Sequence, residues 1–265
     1  MLTIKNQKKM KKYLIIPIFN IAFISSAIAQ EYKINQSAGK MVLNLTAVTV
    51  EGYNGNKIVF STTKKETEID PRAQGLRAIG GGGYTDNTGL GISVEQRGTT
   101  TEVDQIGSSD LAIKILVPKN VIVSLTCHKM ANSGEIIFKN MENEIEISTD
   151  YNKIKLENIS GPATINALFG SIDAIFSDHI KGPISIASVY STVDISIPAS
   201  TKANLKLSTT HGDIFAAPEL KIAFEKHEDN NEETDSGNEV VGKLNGGGLE
   251  FKLSSEFGKI YLRKN

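Results

Sequence analysis

One cysteine, four histidines and no tryptophan stand in a chain of 265 residues. The lone Cys127 rules out an intramolecular disulfide, and no cysteine lies near residue 29 to carry a lipoprotein anchor. His128, His179, His211 and His227 share no ligand spacing, whereas a zinc site needs at least three converging ligands. There is no Gly-x-Ser-x-Gly nucleophile elbow. The glycine run at 80–83 is followed by neither Lys-Ser/Thr nor a helical pattern, so it reads as a turn and not as a phosphate loop. No basic stripe interleaved with aromatics occurs, which excludes nucleic acid as a partner. Beyond residue 29 no apolar run is long enough to span a bilayer. These gaps leave no cofactor and no metal to expect.

The N-terminus is different in kind. Lys8, Lys9, Lys11 and Lys12 precede a mostly apolar stretch over 13–24, and Ala27-Ile28-Ala29 supplies a small-x-small cleavage site before Gln30. This predicts a secretory signal peptide over residues 1–29 and export to the periplasm or the cell surface. Its loss removes five lysines, taking Lys+Arg from 29 to 24 against 30 Asp+Glu, a formal charge of −6.

From about residue 127 a short pattern recurs six times. Its turn residues are Gly134, Asn152, Gly170, Ser191, Gly212 and Gly258. Two positions later come Ile136, Ile154, Ile172, Val193, Ile214 and Ile260. Five positions earlier sit Lys129, Ile147, Ile165, Ile186, Leu207 and Leu253, an aliphatic column that only the first copy breaks. Seven before the turn stand Cys127, Ile145, Ala163, Ile184, Leu205 and Phe251, which predicts a buried Cys127. Inward and outward residues alternate with period two, so each copy reads as one strand before the turn and one after it. Copies 18 to 21 residues apart are too short to hold a helix as well. Stacked, they predict an all-β fold: a parallel β-solenoid of two-strand rungs over 120–265, with aliphatic ladders as its core. Gly161-Pro162 and Gly182-Pro183 mark the opposite corner, where a residue without an amide donor can start a strand.

Two segments stand apart from the rungs. Residues 30–119 predict a strand-rich start that caps the solenoid, with strands over 42–50, 56–60, 92–96, 102–106 and 111–117. Between the fifth and sixth copies the spacing jumps to 46, and the acidic, apolar-poor stretch 225–242 predicts a mobile loop. Lys259, Arg263 and Lys264 place charge on the last strand, where it would blunt an exposed edge.

Two columns carry the candidate chemistry. Immediately before the turn residue come Ser133, Tyr151, Phe169, Tyr190, His211 and Phe257, which stacking would turn into an aromatic ladder along one corner. Such a ladder either stabilises the corner, at about 0.5–1.5 kcal/mol per pair, or contacts a sugar or protein surface. Three after the turn, Asp173 and Asp194 fall on adjacent rungs with Lys155 one rung away. A retaining glycosidase needs two carboxylates at such a separation. No third group converges on this pair.

The segments Val117-Pro118-Lys119-Asn120-Val121 and Ser208-Thr209-Thr210-His211-Gly212-Asp213-Ile214 resemble the exported bacterial β-strand-repeat family called "putative adhesins". So do the closing Lys243-Leu244-Asn245-Gly246-Gly247-Gly248 and the run from Leu253 to Lys264. The resemblance implies a surface or envelope role without an active site. Members often carry Asn before the turn glycine, where this chain mostly has aromatics. Three readings follow: a non-enzymatic scaffold or binding module of the cell envelope, a polysaccharide-active enzyme using the stacked carboxylates, or a purely structural envelope protein. An envelope protein or a polysaccharide is the partner class these readings share.

Overall fold

The computed structural model describes residues 31–62, 71–107, 112–130, 134–225 and 238–265. The expected signal peptide and the middle of the expected acidic loop, 226–237, lie outside the described residues. No α-helix occurs among those described, only a 3-10 turn at Pro71–Ala73. The N-terminal strands are β1 (Glu31–Ile34), β2 (Ala38–Asn44), β3 (Val48–Tyr53), β4 (Ile58–Thr62), β5 (Ile92–Arg97), β6 (Thr100–Gln105) and β7 (Ile113–Pro118). Next come β8 (Asn120–Cys127), β9 (Ile136–Lys139), β10 (Ile145–Thr149), β11 (Ile154–Ile159), β12 (Ala163–Ala167), β13 (Ile172–Phe176), β14 (Ile184–Ser188) and β15 (Val193–Ile197). The chain closes with β16 (Ala203–Thr209), β17 (Ile214–Ala216), β18 (Ile222–Phe224), β19 (Asn238–Leu244), β20 (Leu249–Ser255) and β21 (Ile260–Lys264).

Two sheets face each other across one continuous apolar core. Each rung gives one strand to each sheet, and strands of neighbouring rungs pair in parallel. The register joins like to like: Ile147 pairs with Ile165 and Ile165 with Ile186, while Ile154 pairs with Ile172 and Ile172 with Val193. All of these are essentially fully buried. Period-two alternation turns every second side chain inward, and each such burial contributes about 1.5–3 kcal/mol. The parallel β-solenoid expected from the repeat is the observed fold.

The order of the rungs is a finding. Along the stack they run β6–β7, β2–β3, β8–β9, β10–β11, β12–β13, β14–β15, β20–β21, β16–β17. The last copy in sequence therefore lies between the fourth and the fifth, with β20 paired in parallel to both β14 and β16. The N-terminal end repeats this device: β2–β3 lies between β6–β7 and β8–β9. Antiparallel strands close the ends, with β5 against β6, β4 against β7 and β1 against β4 at one end. At the other, β19 covers β16 and β18 covers β19.

Several expectations change accordingly. Residues 31–118 cap the stack and also supply two complete rungs. The strand expected over 42–50 is two strands, β2 and β3, bent at a rung corner. Of the stretch 225–242 expected to be a loop, the residues from Asn238 onward form β19. The charged final strand does not guard an edge: β21 is interior, between β15 and β17, and its charges simply face outward. Cys127 is buried, but it pairs with Thr149 and not with Ile145. The corner of the first copy holds four more residues than the next, since Ile136 follows Cys127 by nine positions and Ile154 follows Thr149 by five. Lys129 breaks its column because it belongs to that longer corner.

Candidate functional site

Each rung turns from the first sheet to the second through a short corner, and backbone pairing continues through it. Phe169 N donates to Asp150 O at 2.7 Å, Tyr190 N to Leu168 O at 2.9 Å, Phe257 N to Val189 O at 2.8 Å and His211 N to Glu256 O at 2.8 Å. Corner residues are thereby held one strand spacing apart, about 4.8 Å, close to the distance at which flat rings stack. The rings at this position do stack, in the spatial order Tyr151, Phe169, Tyr190, Phe257, His211. Centroids are 5.1, 4.9, 5.1 and 4.8 Å apart, with planes within 14° of parallel. The five expected aromatic residues form one unbroken ladder. Ser133 lies outside the described residues.

The ladder is on the surface. Tyr151, Phe169, Tyr190 and Phe257 are 37%, 45%, 52% and 45% exposed. Each interior ring has a neighbour on both faces, so what meets solvent is a ribbon of ring edges. A sugar ring cannot lie on a covered face; a partner must contact the edges, which carry the positive end of the ring quadrupole. Beneath the ribbon, Asn152 is fully buried and its amide donates to Gly134 O at 2.9 Å and Thr46 O at 2.7 Å, tying three rungs together at the corner.

Asp173 and Asp194 also sit side by side, in register on β13 and β15. Each is engaged by its own cation. Arg263 donates to both oxygens of Asp194, at 2.6 and 2.8 Å, and Lys153 meets Asp173 at 3.0 Å. Lys155 instead pairs with Glu157 at 3.0 Å. The column continues as Tyr261 stacked on Phe215 at 5.3 Å, with Arg263 over Tyr261 and Lys259 over Phe215. The aspartates thus belong to a zipper of ion pairs and ring contacts. Of the histidines, His128 meets Asp150 at 2.8 Å, His179 and His211 are exposed, and His227 lies outside the described residues. Among the described residues no group of three or more His, Cys, Asp or Glu side chains is placed to hold a metal ion.

Four glutamates on the outer faces hold their carboxyl groups below the ordinary value of 4.5, chiefly because lysines donate to them. They are Glu51 with Lys114, Glu142 with Lys119 and Lys181, Glu146 with Lys40, and Glu157 with Lys139 and Lys155. A depressed folded pKa stabilises the fold above the unfolded value and ceases to do so as pH falls through the folded one. The melting temperature is therefore expected to be flat above about pH 5 and to fall by several degrees towards about pH 3, because exposed pairs contribute only ~0–1 kcal/mol each. Thermal melts followed by circular dichroism check this.

The opposite corner, where the second sheet returns to the first, lies where Gly161-Pro162 and Gly182-Pro183 placed it, between β11 and β12 and between β13 and β14. It carries Asn140 and Asn158, both at positive φ. Their recurrence six residues after consecutive turn positions was the available signal.

The Toastrack DUF4097 family matches residues 106–242, just over half of the chain. Comparison with the curated proteins finds no match. Among solved structures, the chain is similar to the crystal structure of a "putative cell adhesion protein" from Clostridium sporogenes, at 14% identity and a TM-score of 0.46. That alignment covers 89% of this chain and 100% of the other. No helix among the described residues is long and apolar enough to cross a membrane. The matched span runs from the end of β6 through the repeat corners to β19, and on that match the chain belongs to the Toastrack DUF4097 family.

Proposed function

We propose that this protein is an exported, non-enzymatic β-solenoid module that binds a partner in the cell envelope through its aromatic corner. The observation that carries the reading is the surface ladder of five stacked rings. The backbone already fixes their spacing, so little side-chain freedom is left to lose on binding. Export rests on the lysine-rich start, the apolar stretch and the Ala27-Ile28-Ala29 site. A non-enzymatic role is supported by the aspartate pair being engaged by Arg263 and Lys153 on an outward face.

The test is co-sedimentation of the purified protein with isolated envelopes, alongside an assay for newly released sugar ends. Sedimentation without release is expected, and Phe169→Ser/Tyr190→Ser should weaken it by at least about tenfold while the fold persists by circular dichroism. Unchanged sedimentation of that variant reduces the ladder to a packing device. Sugar ends that disappear with Asp173→Asn/Asp194→Asn establish an enzyme instead.

A further inference from the structure

On the corner opposite the ladder, two open grooves of about 450 and 460 Å³ share His179 and Lys181 and so form one trough along the rungs. The first reaches back to Tyr53 at the end of β3, and the second reaches Lys202 and the Gly247–Gly248 turn before β20. We infer that this trough is a binding site for a linear polysaccharide, held through its hydroxyl groups.

The argument rests on how the lining is arranged. Donors and acceptors are mixed there, and several are already tied in place. Asn158 donates to Asn140 Oδ1 at 2.7 Å, and Asn140 donates to Glu51 Oε1 at 3.2 Å, so two amides on adjacent rungs are joined and end on a carboxylate. Both asparagines have left-handed backbone, φ 58° and 52°. That conformation suits glycine best, yet here it carries a side chain that reaches the trough. Glu142 sits between Lys119 and Lys181, paired to both, the latter at 2.6 Å. Ser177 lines the same trough, and its buried hydroxyl oxygen has no partner among the described residues.

These features select the ligand class. The trough has few apolar side chains, which disfavours a lipid chain. Lys119, Lys181 and Lys202 face Glu142 and Asp178, so charge is close to balance and a polyphosphate gains little. A sugar hydroxyl both donates and accepts, as this mixture of ammonium, carboxylate and amide groups requires. Continuity across rungs spaced about 4.8 Å apart suits an extended chain more than a single small molecule.

The test is affinity electrophoresis of the purified protein through gels containing a soluble neutral β-glucan, oligomers of β-1,4-linked N-acetylglucosamine, or polygalacturonate. Retardation by one of the two neutral polymers is expected. Asn140→Gly/Asn158→Gly keeps the left-handed backbone and deletes both amides, and it should weaken retardation at least about tenfold. Glu142→Gln frees two lysines and should shift preference towards polygalacturonate. The ladder variant Phe169→Ser/Tyr190→Ser should be retarded like the parent, which separates this site from the aromatic corner. No retardation by either neutral polymer, retardation by polygalacturonate alone, or retardation indifferent to the asparagine and Glu142 changes overturns the proposal.

Discussion

Ending the chain at Leu244, which removes β20 and β21, is expected to abolish cooperative folding. If rungs stacked in sequence order, the same deletion would trim only the last rung and lower the melting temperature modestly. Here the deleted pair is the seventh rung of eight, flanked on both sides. Its inward side chains Phe251, Leu253, Ile260 and Leu262 are 0–1% exposed. At about 1.5–3 kcal/mol each, their burial totals roughly 6–12 kcal/mol, comparable with the ~5–15 kcal/mol that holds a whole domain folded. The neighbouring rung cannot move up to replace it. Copy five offers Leu205 where Phe251 packs against Phe176 at 6.3 Å, and Ala216 where Leu262 is buried. It also offers Phe215 where Tyr261 stands beside Asp194. Closing the gap would leave cavities in both layers. Circular dichroism during heating should show no cooperative transition for the truncated chain. A transition within about 5 °C of the parent would mean that the rungs re-pair freely and that the interleaved order is not specified by packing.

That result bears on what could be read from the residues alone. Columns such as Ile147, Ile165, Ile186 and Leu253 reveal which way each side chain faces, because facing follows from period two and burial. They do not reveal which rung touches which. Every copy offers the same aliphatic edge, so the order is decided by layer-by-layer size matching, as with Phe251 against Phe176. A trace of the answer is present: Ala216 is small and exposed because copy five is the terminal rung, while Leu262 of copy six is buried. The two N-terminal rungs are hidden in the sequence for another reason. The corner between β2 and β3 carries Thr46 and Ala47 and no glycine or asparagine turn, so the repeat signature is missing although Val48 and Val50 register with Ile136 and Phe138. The aromatic ladder was legible because one column held it. The trough was not, because its parts come from seven separate segments and from ion pairs between residues far apart in sequence, such as Lys181 with Glu142.

The corner itself gives the second large effect. Gly170→Ala is expected to destabilise the fold by about 3 kcal/mol or more, since overpacking of a site that cannot relax exceeds the usual ~1–3 kcal/mol. A Cβ at Gly170 would lie 1.8 Å from the backbone oxygen of Asn152 and 2.7 Å from its carbonyl carbon. Neither is the free end of a side chain. Relief requires the third and second copies to part at this corner, where Phe169 N bonds Asp150 O at 2.7 Å and Leu168 N bonds Thr149 O at 2.9 Å. Those are the bonds that set the ring spacing, so the Tyr151–Phe169 stack at 5.1 Å should open as well. Gly134→Ala meets the Cβ of Ala47 at 2.5 Å, a contact with a side chain, and should cost less. Gly81→Ala meets nothing within 4 Å and should be neutral. Urea denaturation of the three variants gives the ranking. If Gly170→Ala matches Gly81→Ala within about 0.5 kcal/mol, the corners are looser than their pairing implies and the rings are not held in place by the backbone. A large loss for Gly170→Ala, with altered near-ultraviolet dichroism from the tyrosines, ties the ladder to the rung corner. The surface proposed to bind the envelope is then one whose spacing is set by the main chain, with the aromatic side chains following it.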